Sequence, residues 1–231
     1  MRLLFEGFRE ALRLLFSFDT DVWHATWLSL QVSLVAVILA TLVGVPAAVL
    51  IGRRAFRGKP VAVTILNTLV ALPTVVVGLF LYCFISRRGP IGMLDLLYSP
   101  TAMIIGQFIL AAPIVAAITL PAIEHMDPMI VKTALTLGAT HRQAAARMLL
   151  EARFSIMAAI VAAFGRVIGE VGCAYMVGGN IRGYTRTMST TIAMETSKGE
   201  FGLAMALGIQ LLIVAFVVNA IFHYFQMKGK K

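Results

Sequence analysis

Five long apolar stretches alternate with short, charged connections along the chain. They are Ala25–Ile51, Val61–Ile85, Thr101–Ile123, Phe154–Val177 and Phe201–Phe225. An apolar helix needs about 20 residues, at 1.5 Å each, to cross the roughly 30 Å hydrocarbon layer of a bilayer. Each stretch is long enough, so the pattern predicts five transmembrane helices and an all-α integral membrane protein.

The amino-terminal segment has a different pattern. Leu4, Phe8 and Leu12 recur at helical spacing with other apolar residues, whereas Arg9 and Arg13 fall mostly on the opposite side with the other charges. Such an amphipathic helix suits the membrane interface. We therefore expect a single transmembrane domain over residues 1–231. It comprises an interfacial helix at 1–20 and a membrane core at 25–225 that includes a long polar connection at 124–153.

Composition and charge agree with a membrane protein and give it an orientation. Apolar residues make up 59% of the chain, charged residues only 13%, and the net charge is +9. A soluble domain is about one-quarter charged, and no basic run is interleaved with aromatics as in a nucleic-acid groove. The connections 52–60 and 124–153, with the carboxyl-terminal tail, hold eleven Lys and Arg against three acids. The opposite side holds eight against seven. Because basic residues gather on the cytoplasmic side, the carboxyl terminus is predicted in the cytoplasm and the amino terminus outside.

Residues for catalysis, metal binding or cofactor binding do not form a recognisable set. The four histidines are scattered, and Cys83 and Cys173 lie inside apolar stretches without metal-ligand spacing. Residues 178–185 resemble a phosphate-binding GxxxxGK[ST] loop, but Tyr184 occupies the lysine position. We therefore expect no catalysis, no metal, no cofactor and no ATP binding by this chain.

The connection at 124–153 is too polar to cross a membrane. Its pattern predicts a helix that ends near Gly138 and a second amphipathic helix that starts at His141. Ala144, Ala145, Met148 and Leu149 form an apolar strip on the second helix. A short helix with an apolar strip favours a partner surface.

This connection carries a resemblance to a known family. Residues 132–139, Lys-Thr-Ala-Leu-Thr-Leu-Gly-Ala, resemble the Glu-Ala-Ala loop of ABC importer permeases, which docks in a groove of the ATPase subunit. Ala134 and Gly138 match the core of that motif, whereas Lys132 and Thr133 depart from it. The resemblance implies a type I permease fold and an ATPase contact over residues 132–150. The residues that it assigns to this contact are Lys132, Ala134, Gly138, Ala139 and Arg142.

Other segments are similar to the oxyanion branch of these permeases. They are 71–78, 88–92, 151–154, 165–172, 177–181 and 185–187, and the later ones are similar to tungstate-type permeases in particular. The resemblance implies a homodimer in a bacterial-type cytoplasmic membrane, among its lipids, with two ATPase subunits and a periplasmic or extracellular oxyanion-binding protein. It implies ATP-driven import of tungstate by alternating access. Molybdate, sulfate or another small solute is the alternative cargo, and a channel or uniporter that needs no ATPase is a rival class.

The fourth apolar stretch holds a charge pair. Arg166 lies near its middle, where a charge costs about 2.5–3.5 kcal/mol on insertion scales, and Glu170 follows four residues later on the same helical face. The pair is either a salt bridge that orients the helix or a lining or gate of the pathway. Gly165 and Gly169 form a GxxxG pair that permits close helix approach. Glycines and prolines in the apolar stretches serve either packing or rocking of the helices.

Polar residues after the fourth stretch suit an anion. Asn180, Arg182 and Arg186 are followed by several hydroxyl side chains, so the segment offers donors and two positive charges. It is a candidate entry vestibule or docking face for a binding protein, and a solvated loop is the alternative. Our candidates for the pathway or its gate are Arg166, Glu170, Thr74, Asn180 and Arg186.

Overall fold

The computed structural model describes residues 8, 9, 13, 19–53 and 56–228, and over these residues all regular structure is helical. The interfacial helix predicted at residues 1–20 lies almost entirely outside the described part. The helices are α1 (Thr20–Arg53), α2 (Lys59–Val70), α3 (Thr74–Ile85), α4 (Pro100–Glu124), α5 (Pro128–Thr136), α6 (His141–Glu151), α7 (Arg153–Ile168), α8 (Gly172–Gly178), α9 (Met188–Lys198) and α10 (Phe201–Lys228), with one 3₁₀ turn at Gly92–Leu94. The predicted all-α class is confirmed.

Three described helices are long and apolar enough to cross a membrane unaided, namely α1, α4 and the apolar part of α10. Two pairs of helices pass the same test only together, because each pair is sharply bent. The angle is 94° between α2 and α3 and 64° between α6 and α7. By length and composition, the described chain therefore has three helices that can cross a membrane, or up to five spans if each bent pair counts as one.

The second apolar stretch is not the continuous helix that its length predicted. Helix α2 ends at Val70, α3 begins at Thr74, and residues 71–73 between them are not helical. Pro73 has no N–H to donate and disfavours helical geometry at the residue before it. The sequence predicted one transmembrane helix over Val61–Ile85 with this proline inside it, whereas the structure has a nearly right-angled break there.

The fourth apolar stretch is also interrupted. Helix α7 ends at Ile168, and the short α8 starts at Gly172. The Glu170 side chain accepts a hydrogen bond from the backbone N–H of Cys173 (3.1 Å), which satisfies one free amide in the first turn of α8. The prediction of a single helix over Phe154–Val177 is therefore wrong. The Glu170 carboxylate caps a new helix, α8, inside this stretch.

Glycines allow the long helices to pack closely. An added Cβ at Gly44 of α1 would lie 2.9 Å from the carbonyl oxygen of Ala112 in α4. At Gly106 of α4 it would lie only 2.5 Å from Cys173 Sγ. Real Cβ atoms do not come so close to other atoms, so these two glycines serve packing. Helix α4 thereby contacts both α1 and α8 and lies at the centre of the bundle.

The connection at 124–153 forms a two-helix unit, Pro128–Glu151, as the sequence predicted. Asp127 caps α5 by accepting from the N–H of Met129 (2.8 Å), and Gly138 turns the chain with φ of +85°. Thr140 and Gln143 then cap α6 reciprocally.

The apolar strip of this unit faces inward, which corrects the sequence analysis. Ala144 and Met148 are buried, and Met148 packs with Ile123 and Ala152 of the bundle. The amphipathic pattern showed an apolar strip but not the surface that covers it. The large apolar side chains left exposed on the described part of the unit are Met129, Leu137 and Leu150.

Candidate functional site

The charge pair predicted in the fourth stretch is formed. Arg166 Nη1 donates to Glu170 Oε2 at 2.8 Å, and the Glu170 side chain is only 3% exposed. The backbone carbonyl of Glu170 also accepts a hydrogen bond from Ser189 Oγ (2.7 Å). Together with its bond to Cys173, Glu170 links the end of α7, the start of α8 and the start of α9. Its first role is therefore to fix the geometry of the break.

The two broken stretches meet beside this pair. An added Cβ at Gly172 would lie 3.0 Å from Thr74 Oγ1 and 3.5 Å from Glu170 Oε1, so these side chains flank Gly172 from two sides. Thr74 is the first residue of α3, and Pro73 before it provides no side-chain cap. A helix amino end carries a partial positive charge. The structure therefore brings together Thr74, Arg166 and Glu170 of the predicted residues.

Helix α7 has one face that no other described part of the chain covers. Ala159, Ala163 and Val167 on its other face are buried. The uncovered face carries Ala158, Ala162, Gly165, Arg166 and Gly169. An added Cβ at Gly165 or Gly169 would meet no described heavy atom within 4 Å. The close helix approach predicted for this GxxxG pair therefore does not occur within the described chain.

Arg166 is the polar group on that uncovered face. Its side chain is 42% exposed although one nitrogen bonds to Glu170. It lies roughly 20 Å from the start of α7 at 1.5 Å per residue, which is inside a hydrocarbon layer of about 30 Å for a helix that starts at the bilayer surface. A charge at such depth is costly against lipid. The face suits either a second copy of the chain or a water-filled pathway, and there the remaining guanidinium donors of Arg166 can reach an anion.

The segment after α8 is a tightly bonded loop over residues 179–187. Thr185 Oγ1 donates to the carbonyl of Gly178 and accepts from the N–H of Ile181. Asn180 is buried in a left-handed conformation with φ of +51°, and its carbonyl accepts from Arg186 Nε (3.4 Å). The two predicted vestibule residues are thus adjacent. Asn180 shapes the loop, and Arg186 carries the charge.

An ion pair that the sequence analysis missed fastens this loop to the first helix. Arg182 Nε donates to Asp21 Oδ1 at 3.0 Å, and its Nη2 reaches the other carboxylate oxygen. This hydrogen bonding raises the pKa of Arg182. The two residues are 161 positions apart, and no local signal links them. Asp21 therefore compensates the charge of Arg182. Arg186 is the other cation that was predicted for the vestibule.

The residues assigned by resemblance to an ATPase contact all lie on the two-helix unit. Lys132 and Arg142 are exposed, whereas Ala134 and Ala139 are partly buried and joined by a hydrogen bond from the Ala139 N–H to the Ala134 carbonyl (3.0 Å). Leu137, which the sequence analysis did not select, is 83% exposed beside Gly138. Only Ala152 separates α6 from α7, the helix that carries Arg166.

Ser29 also escaped the sequence analysis, whereas Ser189 was one of the hydroxyl side chains that it proposed as anion donors. Ser29 Oγ in α1 accepts from the N–H of Met188 (2.9 Å), and Ser189 binds the Glu170 carbonyl. Together they fasten the start of α9 to α1 and to the charge pair. The only signal for Ser29 was a small polar residue inside an apolar stretch, which is common in membrane helices.

Comparison with known proteins identifies relatives over almost the whole chain. The model of the family described as binding-protein-dependent transport system inner membrane component matches residues 44–229. A tungstate uptake system permease protein of Peptoclostridium acidaminophilum is 39% identical over 98% of this chain and 99% of its own length. One of Campylobacter jejuni is 40% identical over 95% and 92%. The solved structure of a bacterial ABC transporter for alginate import superposes with a TM-score of 0.78 at 20% identity, covering 97% of this chain and 84% of its own.

Proposed function

As a member of the binding-protein-dependent transport system inner membrane component family, this chain is an ABC importer permease, and we propose that it imports tungstate or a closely related oxyanion. It is a multi-pass protein of the cytoplasmic membrane. Import is driven by ATP hydrolysis in two copies of a separate ATPase subunit, and the chain itself catalyses no reaction. Residues 1–231 form one permease domain, with the carboxyl terminus in the cytoplasm and the amino terminus outside.

The half-exposed Arg166 is the observation on which the pathway rests. It lies on the uncovered face of α7, within the fourth apolar stretch of the sequence, with donors left over from its bond to Glu170. Two copies of the chain facing each other through this surface would enclose a pathway lined by small residues and by one arginine from each copy. A homodimer of this form keeps the charge away from lipid and presents it to a passing anion.

The surroundings of Arg166 favour an oxyanion as cargo. A dianion such as tungstate is stabilised by guanidinium donors, hydroxyl groups and helix amino ends. Arg166, Thr74 and the start of α3 supply one of each. Glu170 balances most of the charge of Arg166, so the anion binds weakly enough to be released. Passage through a pore requires such weak binding. Selection of tungstate then falls to a separate extracytoplasmic binding protein that docks near Arg186. Support for tungstate comes from the relatives, whose names include tungstate uptake.

The two-helix unit Pro128–Glu151 is proposed as the lever that couples transport to the ATPase. Leu137, Lys132 and Arg142 offer an apolar side chain and two cations on its exposed surface. The inner side is fixed to the bundle through Met148, so a push on the unit moves the bundle with it. Because α6 runs almost directly into α7, the same push reaches Arg166 and allows alternating access.

Tungstate import is tested by reconstituting the chain in proteoliposomes with the ATPase and the binding protein encoded beside it. We expect ATP-dependent tungstate uptake that excess unlabelled tungstate suppresses. Molybdate competes to the extent that the binding protein accepts it. Preferential uptake of sulfate would show that sulfate, rather than tungstate, is the substrate, and it would leave the proposed transport mechanism unchanged. Uptake that proceeds without the ATPase would favour the channel or uniporter class and refute the proposal.

A further inference from the structure

A polar cavity lies apart from Arg166 and plays no part in the import mechanism above. It has a volume of about 720 Å³ and lies between the end of α3 and the segment that leads into α4. Arg87 and Arg88 line it with two guanidinium groups, and Tyr82, Ser86 and Tyr98 line it with hydroxyl groups. Asp95 is the one acid among the described residues of its lining, with its Oδ1 3.9 Å from Arg87 Nε.

The backbone that carries the two arginines is folded back on the end of α3. The N–H of Gly89 donates to the carbonyl of Ser86 (2.7 Å), and that of Ile91 donates to Phe84 (3.2 Å). An added Cβ at Gly89 would overlap the carbonyl oxygen of Cys83, and one at Gly92 would overlap that of Ser86. This close wrapping fixes the backbone from which the two exposed arginine side chains extend.

The far wall of the cavity holds two residues in an unusual backbone conformation. Asp95 has φ of 45° and Tyr98 has φ of 62°, a left-handed region that residues with a Cβ rarely adopt. The N–H of Tyr98 donates to the carbonyl of Val177 (2.8 Å), and its ring lies against Gly179, so contacts with α8 hold it there. Such strained residues cluster at ligand sites. Hydrogen bonding with the Tyr82 side chain raises the pKa of Tyr98.

The segment around the cavity has the composition of a membrane interface. Met93 is 89% exposed in the 3₁₀ turn, and Leu94 and Ile91 beside it are exposed as well. Apolar side chains at a bilayer surface enter the acyl boundary, while tyrosines and arginines stay at the level of the headgroups. Because the segment joins the end of α3 to the start of α4, it lies where the chain leaves and re-enters the membrane.

We propose that this cavity binds a phosphate-type oxyanion group through Arg87 and Arg88, beside the hydroxyl groups of Ser86 and Tyr98. Guanidinium groups match the oxygens of such a group in charge and geometry. Either of two sources supplies it: the headgroup of an anionic phospholipid whose acyl chains lie along Met93, or a free oxyanion in solution. The Asp95 carboxylate competes for Arg87 and keeps the affinity moderate.

The proposal is tested on the delipidated full-length chain in detergent. Native mass spectrometry follows its titration with phosphatidylglycerol and with diacylglycerol of the same acyl chains, which lacks the phosphate. Equilibrium dialysis with radiolabelled inorganic phosphate runs in parallel. Wild type is expected to retain at least fivefold more of one phosphate-bearing probe than the double variant R87Q/R88Q. Retention of phosphatidylglycerol but not of diacylglycerol assigns the site to a lipid headgroup. Retention of inorganic phosphate assigns it to a free anion.

The Asp95→Asn variant provides a control with the opposite sign. Asparagine tolerates the left-handed backbone of this position and removes the competing charge, so it should raise retention of the same probe. A purely structural role for the segment predicts no such gain. The proposal is overturned if R87Q/R88Q, eluting as a monodisperse protein, retains both probes as wild type does. It is equally overturned if Asp95→Asn fails to raise the retention.

Discussion

Replacing Glu170 by glutamine separates its charge from its structural role. Glutamine keeps an oxygen that accepts from the Cys173 N–H and has nearly the same shape, but it leaves Arg166 uncompensated. A hydrogen bond to a charged group contributes about 1.5–3 kcal/mol, and an exposed ion pair contributes about 0–1 kcal/mol. Arg166 is nearly half exposed and Glu170 is buried. We therefore expect a loss of about 1–2 kcal/mol, or roughly 2–8 °C in Tm for a chain of this length.

The transport consequence of Glu170→Gln distinguishes the pathway from mere packing. An uncompensated Arg166 should hold the anion more tightly, so the KM for tungstate uptake falls about tenfold, equivalent to about 1.4 kcal/mol. The maximal rate falls too, because release slows. Glu195→Gln is the matched control, since Glu195 is also buried and pairs with Lys198 at 3.0 Å on α9. It should lose stability but keep the wild-type KM. If Glu170→Gln also keeps that KM, the pair does not face the pathway.

Two further changes test the packing and the loop. Gly106→Ala places a methyl group against Cys173 Sγ and should cost about 1–3 kcal/mol. In the double variant with Cys173→Ala, thermal unfolding should show that part of this stability is recovered. If the stability losses of the two substitutions simply add, the contact between residues 106 and 173 is contradicted. Asp21→Asn removes the charged partner of Arg182, so amides in loop 179–187 should exchange hydrogen faster. Hydrogen exchange in the two-helix unit should stay unchanged. If the loop is protected equally in wild type and in Asp21→Asn, the ion pair does not hold the loop.

The sequence predicted the long helices well and the breaks poorly, for physical reasons. Apolar length indicates where α1 and α4 begin and end, and the predicted ends lie within five residues of the observed ones. Pro73 and Gly169 were visible as helix-weakening residues. The bend that results depends on which groups take up the freed amides, as Glu170 does for Cys173. Such partners follow from the folded arrangement and cannot be deduced from residue type alone.

The same distinction applies to the candidate site. Arg166 and Glu170 are four residues apart on one helix, so their pairing followed from helical geometry. Asp21 and Arg182 meet only because the bundle brings α1 to loop 179–187. The apolar strip around Met148 was correctly located on its helix, but periodicity could not say that the bundle, rather than a partner, covers it.

The most direct test of the account is coupling through the two-helix unit. Leu137 is exposed, so Leu137→Asp should leave folding and membrane insertion intact. ATP-dependent tungstate uptake into proteoliposomes with the ATPase and binding protein should fall at least tenfold in this variant. The control variant Leu137→Met should keep the wild-type uptake. Undiminished uptake by Leu137→Asp at equal permease density would contradict the account, because the lever would then not pass through this surface.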